Sequence, residues 1–412
     1  MPTLPQRTVL PNGLVVLTAE EHRSPLAAVL IIYRSGSRDE PHGKTGLAHL
    51  TEHMMFRGTP AYPLGAVDVA TGRLGGTNNA VTTADYTAYY FVLPGEHWRE
   101  ALVMEADRMA NCSLDRGPFE MERGVAVEER KMLDDDPEAM LDEAVAMLAY
   151  TRHPYRYPVI GLRSDIEALT LEDVAWFYRA FYQPGNAVLV VAGDVDGAAV
   201  RDAAEAAFGS IPSSGVPASL PDPEPRQLAP RRASLQTTLR TREVVLAFHC
   251  PPADAEDSAA LELVAALLAT GRSSRLWRRL VMEERIAAEV SAVRLLNRDP
   301  GLFTISATLH PGVDLGRAEE AVLDVIDGMR RDGVPGTELA KAKSLVSVDL
   351  LLARETDLGL AGALGFWESL GGWELGQRFE GLVESARPED VSGVLARYLS
   401  PDSRNSVWLM HG

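Results

Sequence analysis

Residues 27–56 read AAVLIIYRSGSRDEPHGKTGLAHLTEHMMF. The run Ala27–Tyr33 is apolar with β-branched residues and stops at Ser35-Gly36, which predicts a buried strand. From Leu47 to Phe56 the apolar spacing becomes helical, with Gly46 and Gly58 as its limits. The same order recurs in the second half. There Val244–Phe248 leads through PPADAEDS into an apolar helix over Ala259–Thr270. The echo is one of element order and not of residue identity, and it predicts an internal duplication at domain length. The fold class expected is therefore α+β, with two similar α/β domains, each a sheet with helices, joined by a linker.

The remaining elements fit this division. Thr8–Leu10 and Leu14–Thr18 flank Pro11-Asn12-Gly13, a hairpin signal. Residues 79–93 (NAVTTADYTAYYFVL) are rich in Thr, Tyr and Val and predict a strand. Helices are expected over 96–110, 118–134, 137–150 and 171–182, and a buried strand over Ala187–Ala192. Between Ile211 and Pro230 the sequence IPSSGVPASLPDPEPRQLAP has no apolar period. The expected boundaries are a first domain over 1–210, a Pro-rich linker over 211–235 and a second domain over 236–412.

A chain of 412 residues exceeds the roughly 250–300 that one core supports, so two domains agree with its length. Lys and Arg number 40 and Asp and Glu 58, a net charge of −18. Such a surface repels phosphate backbones, which excludes nucleic acid as a natural partner. Cys112 and Cys250 lie far apart without metal-type spacing, so two free thiols are expected, with one disulfide as the alternative. The start MPTLPQRTVLPNG lacks the pattern of a signal peptide, and no apolar run reaches the roughly 18 residues that span a bilayer. A cytoplasmic location, away from membranes, is the resulting expectation.

The chemistry concentrates in His49-Leu50-Thr51-Glu52-His53. On a helix, residues four apart share a face, so His49 and His53 can grip one metal ion together. Glu52 lies on the neighbouring strip, a poor position for a ligand and a good one for a general base. H-x-x-E-H is an inverted zinc-peptidase motif, and two histidines leave a zinc site one protein ligand short. A helical stretch containing Glu122 and Glu129, seven residues apart on one face, can supply it from either residue, with the other in support. His42, His97, His153, His249 and His310 have no ligand spacing and read as structural or surface residues. The second-half helix ALELVAALLAT has no histidine, so one zinc per chain is expected.

At these residues the chain resembles the pitrilysin/insulinase family of zinc peptidases, peptidase family M16. The likeness runs from LPNGLVVLTAEEHRSPLAAVLIIYRSGSRDEP through GLAHLTEHMMFRGT, NAVTTADYTAYYFVL and ERGVAVEERKMLDDDP to HPYRYPVIGLRSDIEALTLEDVAWFYRAFYQPGNAVLVVAGDVD. In that family a glutamate about 76 residues after the second histidine completes the ligand set. Here 129 − 53 = 76, which selects Glu129, with Glu122 as the supporting residue. The resemblance implies a metalloendopeptidase acting on peptides or unfolded polypeptides in a closed chamber. Glu52 is then the general base and a zinc-bound water the nucleophile. It also implies that substrate adds as an extended strand to Asn79-Ala80-Val81-Thr82.

One departure stands out. Active members carry an Arg and a Tyr, seven positions apart, in the second domain, and here Val281 and Ala288 stand at those positions. Neither apolar side chain can donate to a substrate carbonyl or a developing oxyanion. The resemblance thus implies the zinc-bearing subunit of a heterodimer whose homologous partner lacks HxxEH and supplies the Arg/Tyr pair. Arg285, read as one helical turn from Val281, is not a substitute. The alternative is a non-catalytic binding or assembly subunit of a peptidase-like complex, against which stand the intact His49, Glu52, His53 and Glu129.

Overall fold

A computed structural model describes residues 4–217, 221–238 and 241–411. Residues 218–220, inside the expected linker, lie outside the described residues. In the first half the chain forms β1 (Gln6–Val9), β2 (Val15–Glu20), β3 (Leu26–Tyr33), α1 (Leu47–Met55), α2 (Ala66–Arg73), β4 (Thr77–Thr82) and β5 (Thr87–Pro94). It continues with α3 (Trp98–Asn111), α4 (Arg116–Asp134), α5 (Pro137–Ala149), α6 (Arg163–Ala168), α7 (Leu171–Phe181), β6 (Ala187–Gly193) and α8 (Gly197–Phe208). The second half forms β7 (Arg231–Thr237), β8 (Glu243–His249), α9 (Asp257–Ala269), β9 (Ala287–Arg294), β10 (Leu302–Leu309), α10 (Leu315–Asp332) and α11 (Gly336–Leu352). It ends with α12 (Asp357–Leu370), α13 (Glu374–Ser385), α14 (Pro388–Tyr398) and β11 (Asn405–His411).

Two mixed sheets result, with strand orders β1-β2-β6-β3-β5-β4 and β7-β11-β8-β10-β9. Their connectivity is the same. In the first, β2 runs parallel to β6, and β6, β3, β5 and β4 then pair antiparallel in turn. In the second, β7 runs parallel to β11, and β11, β8, β10 and β9 pair antiparallel in turn. The duplication expected from element order is thus present strand for strand, with β1 as an addition to the first sheet.

The compact units are not single stretches of chain. The first comprises Met1–Met132, Tyr157–Pro221 and Leu352–Gly376, the second Leu133–Arg156, Asp222–Leu351 and Gln377–Gly412. In the first unit β6 is buried along its whole length, as its apolar run AVLVVAG requires of a strand covered on both faces. One of those covers is α12, from the second half of the sequence, which packs on β3 and β6. A Cβ on Gly365 would lie 2.6 Å from Ile32 Cδ1 and 3.2 Å from Val190 Cγ2, so glycine sets how closely this helix approaches the sheet. In the second unit α5, from the first half, plays the matching role on β7, β8 and β11. Each half of the sequence therefore covers the other half's sheet with one helix, and the Pro-rich stretch is not where all chain exchange between units occurs.

One expected strand divides. Residues 79–93 form β4 and β5, joined by a turn in which Thr83 N–H donates to Tyr86 O at 2.8 Å and Thr83 Oγ1 accepts from Asp85 and Tyr86 N–H. This hairpin makes β4 a sheet edge among the described residues. Both cysteines are free. No described helix is long and apolar enough to cross a membrane.

Candidate functional site

The site is built on α1. Its Leu47, Ala48, Leu50, Thr51, Met54 and Met55 are buried, which leaves His49, Glu52 and His53 on the opposite, partly open face. The helix begins at Gly46, whose left-handed φ of 88° and close approach to the Ile160 carbonyl exclude a side chain. Glu40 closes the helix start, its carboxylate accepting from Gly46 N–H at 3.1 Å and Ala48 N–H at 2.8 Å.

Against this face α4 sets Glu122 and Glu129. The Glu129 Oε2 lies 3.8 Å from His49 Nε2 and 3.6 Å from His53 Nε2. One ligand-type atom from each of the three residues lies within 4.8 Å of the other two. Glu122 is buried, with one carboxylate oxygen 2.8 Å from His53 Nδ1 and the other paired with Arg57. A carboxylate accepts only, so it holds the His53 proton on Nδ1 and leaves the Nε2 lone pair free. Burial pushes the His49 imidazole down to about 4, helped by the neighbouring His53, so it is a neutral donor near pH 7.

These observations test the zinc ion implied by the resemblance. Two imidazoles and a carboxylate are a known catalytic zinc set that keeps one position open. Ligand atoms sharing a tetrahedral ion with bonds near 2.0–2.1 Å are about 3.4 Å apart, and the 3.6 and 3.8 Å separations approach this. The Glu122–His53 bond supplies the outer support that metal-bound histidines usually have. His49 Nδ1, buried without a hydrogen-bond partner, lacks the equivalent. The residues fit the ion.

Glu52 is held apart from the cluster. Thr82 Oγ1 donates to its Oε2. Burial raises the Glu52 carboxyl above its ordinary value, and the Thr82 bond and His53 offset part of that rise. Along β4, Ala80 and Thr82 are half-buried, while Asn79 and Val81 point outward. Asn79 Oδ1 accepts from Ala80 N–H at 2.9 Å. All four residues pair with β5 on one side, and no described strand pairs with the other.

In the second unit, Val281 is half-buried in a π-helical turn over Trp277–Glu283, and Ala288 is exposed on β9, the far edge of its sheet. Arg285 is not on a helix with Val281. It has left-handed backbone with φ 54°, where the chain turns from the helical segment into β9.

The sequence reading missed three supports of the site. The Glu40 cap, the Arg57–Glu122 pair and the Thr82 hydroxyl on Glu52 each join residues whose relation has no local period. Strand pairing with a peptide uses Thr82 through its backbone alone, and the hydroxyl adds a second role.

Residues 15–162 match the family described as Insulinase (Peptidase family M16), and residues 168–346 match that described as Peptidase M16 inactive domain. The second range is the half without the histidine pair. The chain is 30% identical over 363 residues to zinc protease PqqE of Helicobacter pylori, spanning 87% of this chain and 82% of that one. It is also 30% identical over 424 residues to an uncharacterized zinc protease of Mycobacterium tuberculosis, spanning 99% and 94%. Its fold superposes on the crystal structure of a protease from Helicobacter pylori with a TM-score of 0.95, at 27% identity and full coverage of both chains. A peptidase M16 inactive domain from Pseudomonas fluorescens, 18% identical, shares the fold alone, with a TM-score of 0.89 over 99% of this chain and 98% of that one. With both halves matched in order and relatives of this identity along nearly its whole length, the chain belongs to peptidase family M16.

Proposed function

We propose that the chain is a zinc metalloendopeptidase and the catalytic member of a heterodimer. His49, His53 and Glu129 hold the ion, and a bound zinc ion supplies an acidified water and polarises the scissile carbonyl. The observation that carries this reading is the convergence of the three ligand-type atoms, with Glu52 on the same face of α1 and outside the set.

The chain's own residues then divide the work. Glu52 takes the proton from the attacking water and returns it to the leaving amine. Thr82 fixes the carboxylate by donating to Oε2, which leaves Oε1 for the proton. Glu122 keeps the His53 ring in one tautomer and orientation, with its charge balanced by Arg57. The open edge of β4 at Asn79–Thr82 pairs with an extended peptide by main-chain hydrogen bonds, which suits unfolded chains and gives little sequence selection. Val281 and Ala288 leave the carbonyl without side-chain donors from this sequence, so a homologous subunit provides them.

The deciding experiment is Glu52→Gln in the chain mixed with its partner subunit. Zinc content should stay at one per chain while peptide cleavage falls by at least about 10²-fold, the usual contribution of a general base. Cleavage at the unchanged rate would remove Glu52 from the chemistry.

A further inference from the structure

Within the second unit lies a cleft of about 540 Å³ that the proposed reaction does not use. Its walls are the C-terminal end of α9, the turn Gly271–Arg275, the π-helical segment and the first turns of α11. Four cations line it, Arg275, Arg278, Arg279 and Lys341, against the two carboxylates Glu283 and Glu338. In a chain with a net charge of −18 this is a local reversal of sign.

The two carboxylates do not cancel it evenly. Glu338 is occupied by Arg275, whose guanidinium donates to both of its oxygens at 2.9 and 2.7 Å. Arg279 pairs with Glu284 at 2.5 Å. Arg278 is different: its nearest carboxylate, Glu283, is 3.9 Å away, beyond hydrogen-bonding distance, and its side chain is 65% exposed. The Lys341 ammonium donates to Ser273 Oγ. Leu267, Ala342 and Leu345 add an apolar side.

We propose that this cleft binds a small ligand bearing an oxyanion, a phosphate or carboxylate group, between Arg278 and Lys341. A guanidinium suits the planar, two-oxygen edge of such a group, and the start of α11 favours negative charge. The apolar side accommodates a short carbon skeleton.

The test is calorimetric titration of the full chain with inorganic phosphate and, separately, with succinate, at ionic strength held constant with sodium chloride. Saturable binding of phosphate assigns a phosphate ligand, and saturable binding of succinate a carboxylate one. In either case R278A/K341A should weaken binding at least tenfold, and R278A alone by a few-fold. Both variants keep the metal-binding residues, so anion bound at that centre would be equally retained. Unchanged affinity in R278A/K341A overturns the proposal, as does the absence of saturable binding of both anions. The thermal midpoint of each variant shows that it is folded; should R278A/K341A not fold, the R278A titration decides alone, and unchanged affinity there overturns the proposal.

Discussion

His53 Nδ1 lies 2.8 Å from one oxygen of Glu122, and the other oxygen of that carboxylate pairs with Arg57. The three residues form a line from a cation through a buried anion to an imidazole. Its effect is to commit the His53 proton to Nδ1 and to present Nε2 toward Glu129 and His49.

Glu122→Gln keeps the shape of this line and removes its charge. Zinc affinity should fall by about 10–100-fold, the usual effect of losing an outer partner of a metal-bound histidine. Competition against a chromogenic chelator measures it. Equal affinity in the variant would reduce Glu122 to a packing residue.

Thr82 has an analogous role toward Glu52. Thr82→Val keeps a β-branched side chain at the sheet edge and removes the donor to Oε2. The expected result is a kcat about tenfold lower, in line with one hydrogen bond to a charged group. Zinc content and the KM for peptide should stay near the wild-type values. A change in KM alone would place Thr82 in substrate pairing and not in holding the base.

These two contacts mark the limit of what the sequence made legible. His49, Glu52 and His53 are neighbours on one helix, so the 3.6-residue period places them on one side of it. Glu122 and Glu129 are likewise related by two turns of α4, so helix geometry alone does not choose between them as the ligand. Thr82 and Glu52 sit on different elements, and no period links them. The β4–β5 hairpin was hidden because its turn, Thr83-Ala84-Asp85-Tyr86, has neither glycine nor proline and is closed by a threonine side chain. The cross-covering by α5 and α12 was hidden for another reason. An apolar helix face tells that a sheet will cover it, but not which of two similar sheets does so.

Glu224 ties the segment after α5 to its own unit. Its carboxylate accepts from the N–H groups of Thr151, Arg152 and His153 and from the Thr151 hydroxyl. Burial alone would raise this carboxyl, but the hydrogen bonds from Arg152, Thr151 and His153 outweigh it, and the group is held below its ordinary value of 4.5. A depressed carboxyl contributes stability that is complete above the unfolded-state value and is lost as pH falls through the folded-state value. The wild type should therefore be more stable than Glu224→Gln at pH 6, with the difference shrinking as pH drops below about 4.5. Denaturation midpoints of the two proteins across this range check the sign. A difference that grows toward low pH would contradict it.

Positions 281 and 288 carry no hydrogen-bonding side chain. A tetrahedral oxyanion needs donors aimed at it, and losing one such donor typically costs about 10²–10³-fold in kcat. Val281 and Ala288 donate nothing. The chain alone should therefore cleave peptides slowly even when fully loaded with zinc, and a homologous subunit with the Arg/Tyr pair should raise the rate by at least that factor. The residues can also be installed. Ala288 is exposed on an edge strand, so a tyrosine there displaces no packing, and half-buried Val281 leaves a path for an arginine head to reach solvent. With a second copy of the chain standing in for the partner, V281R/A288Y should gain activity while its zinc content stays unchanged, since both positions lie in the unit that does not contain His49, His53 and Glu129. Wild-type chain that already matches the mixed subunits would refute the division of labour. A double variant that stays slow while the mixture is fast would show that the partner contributes more than these two side chains.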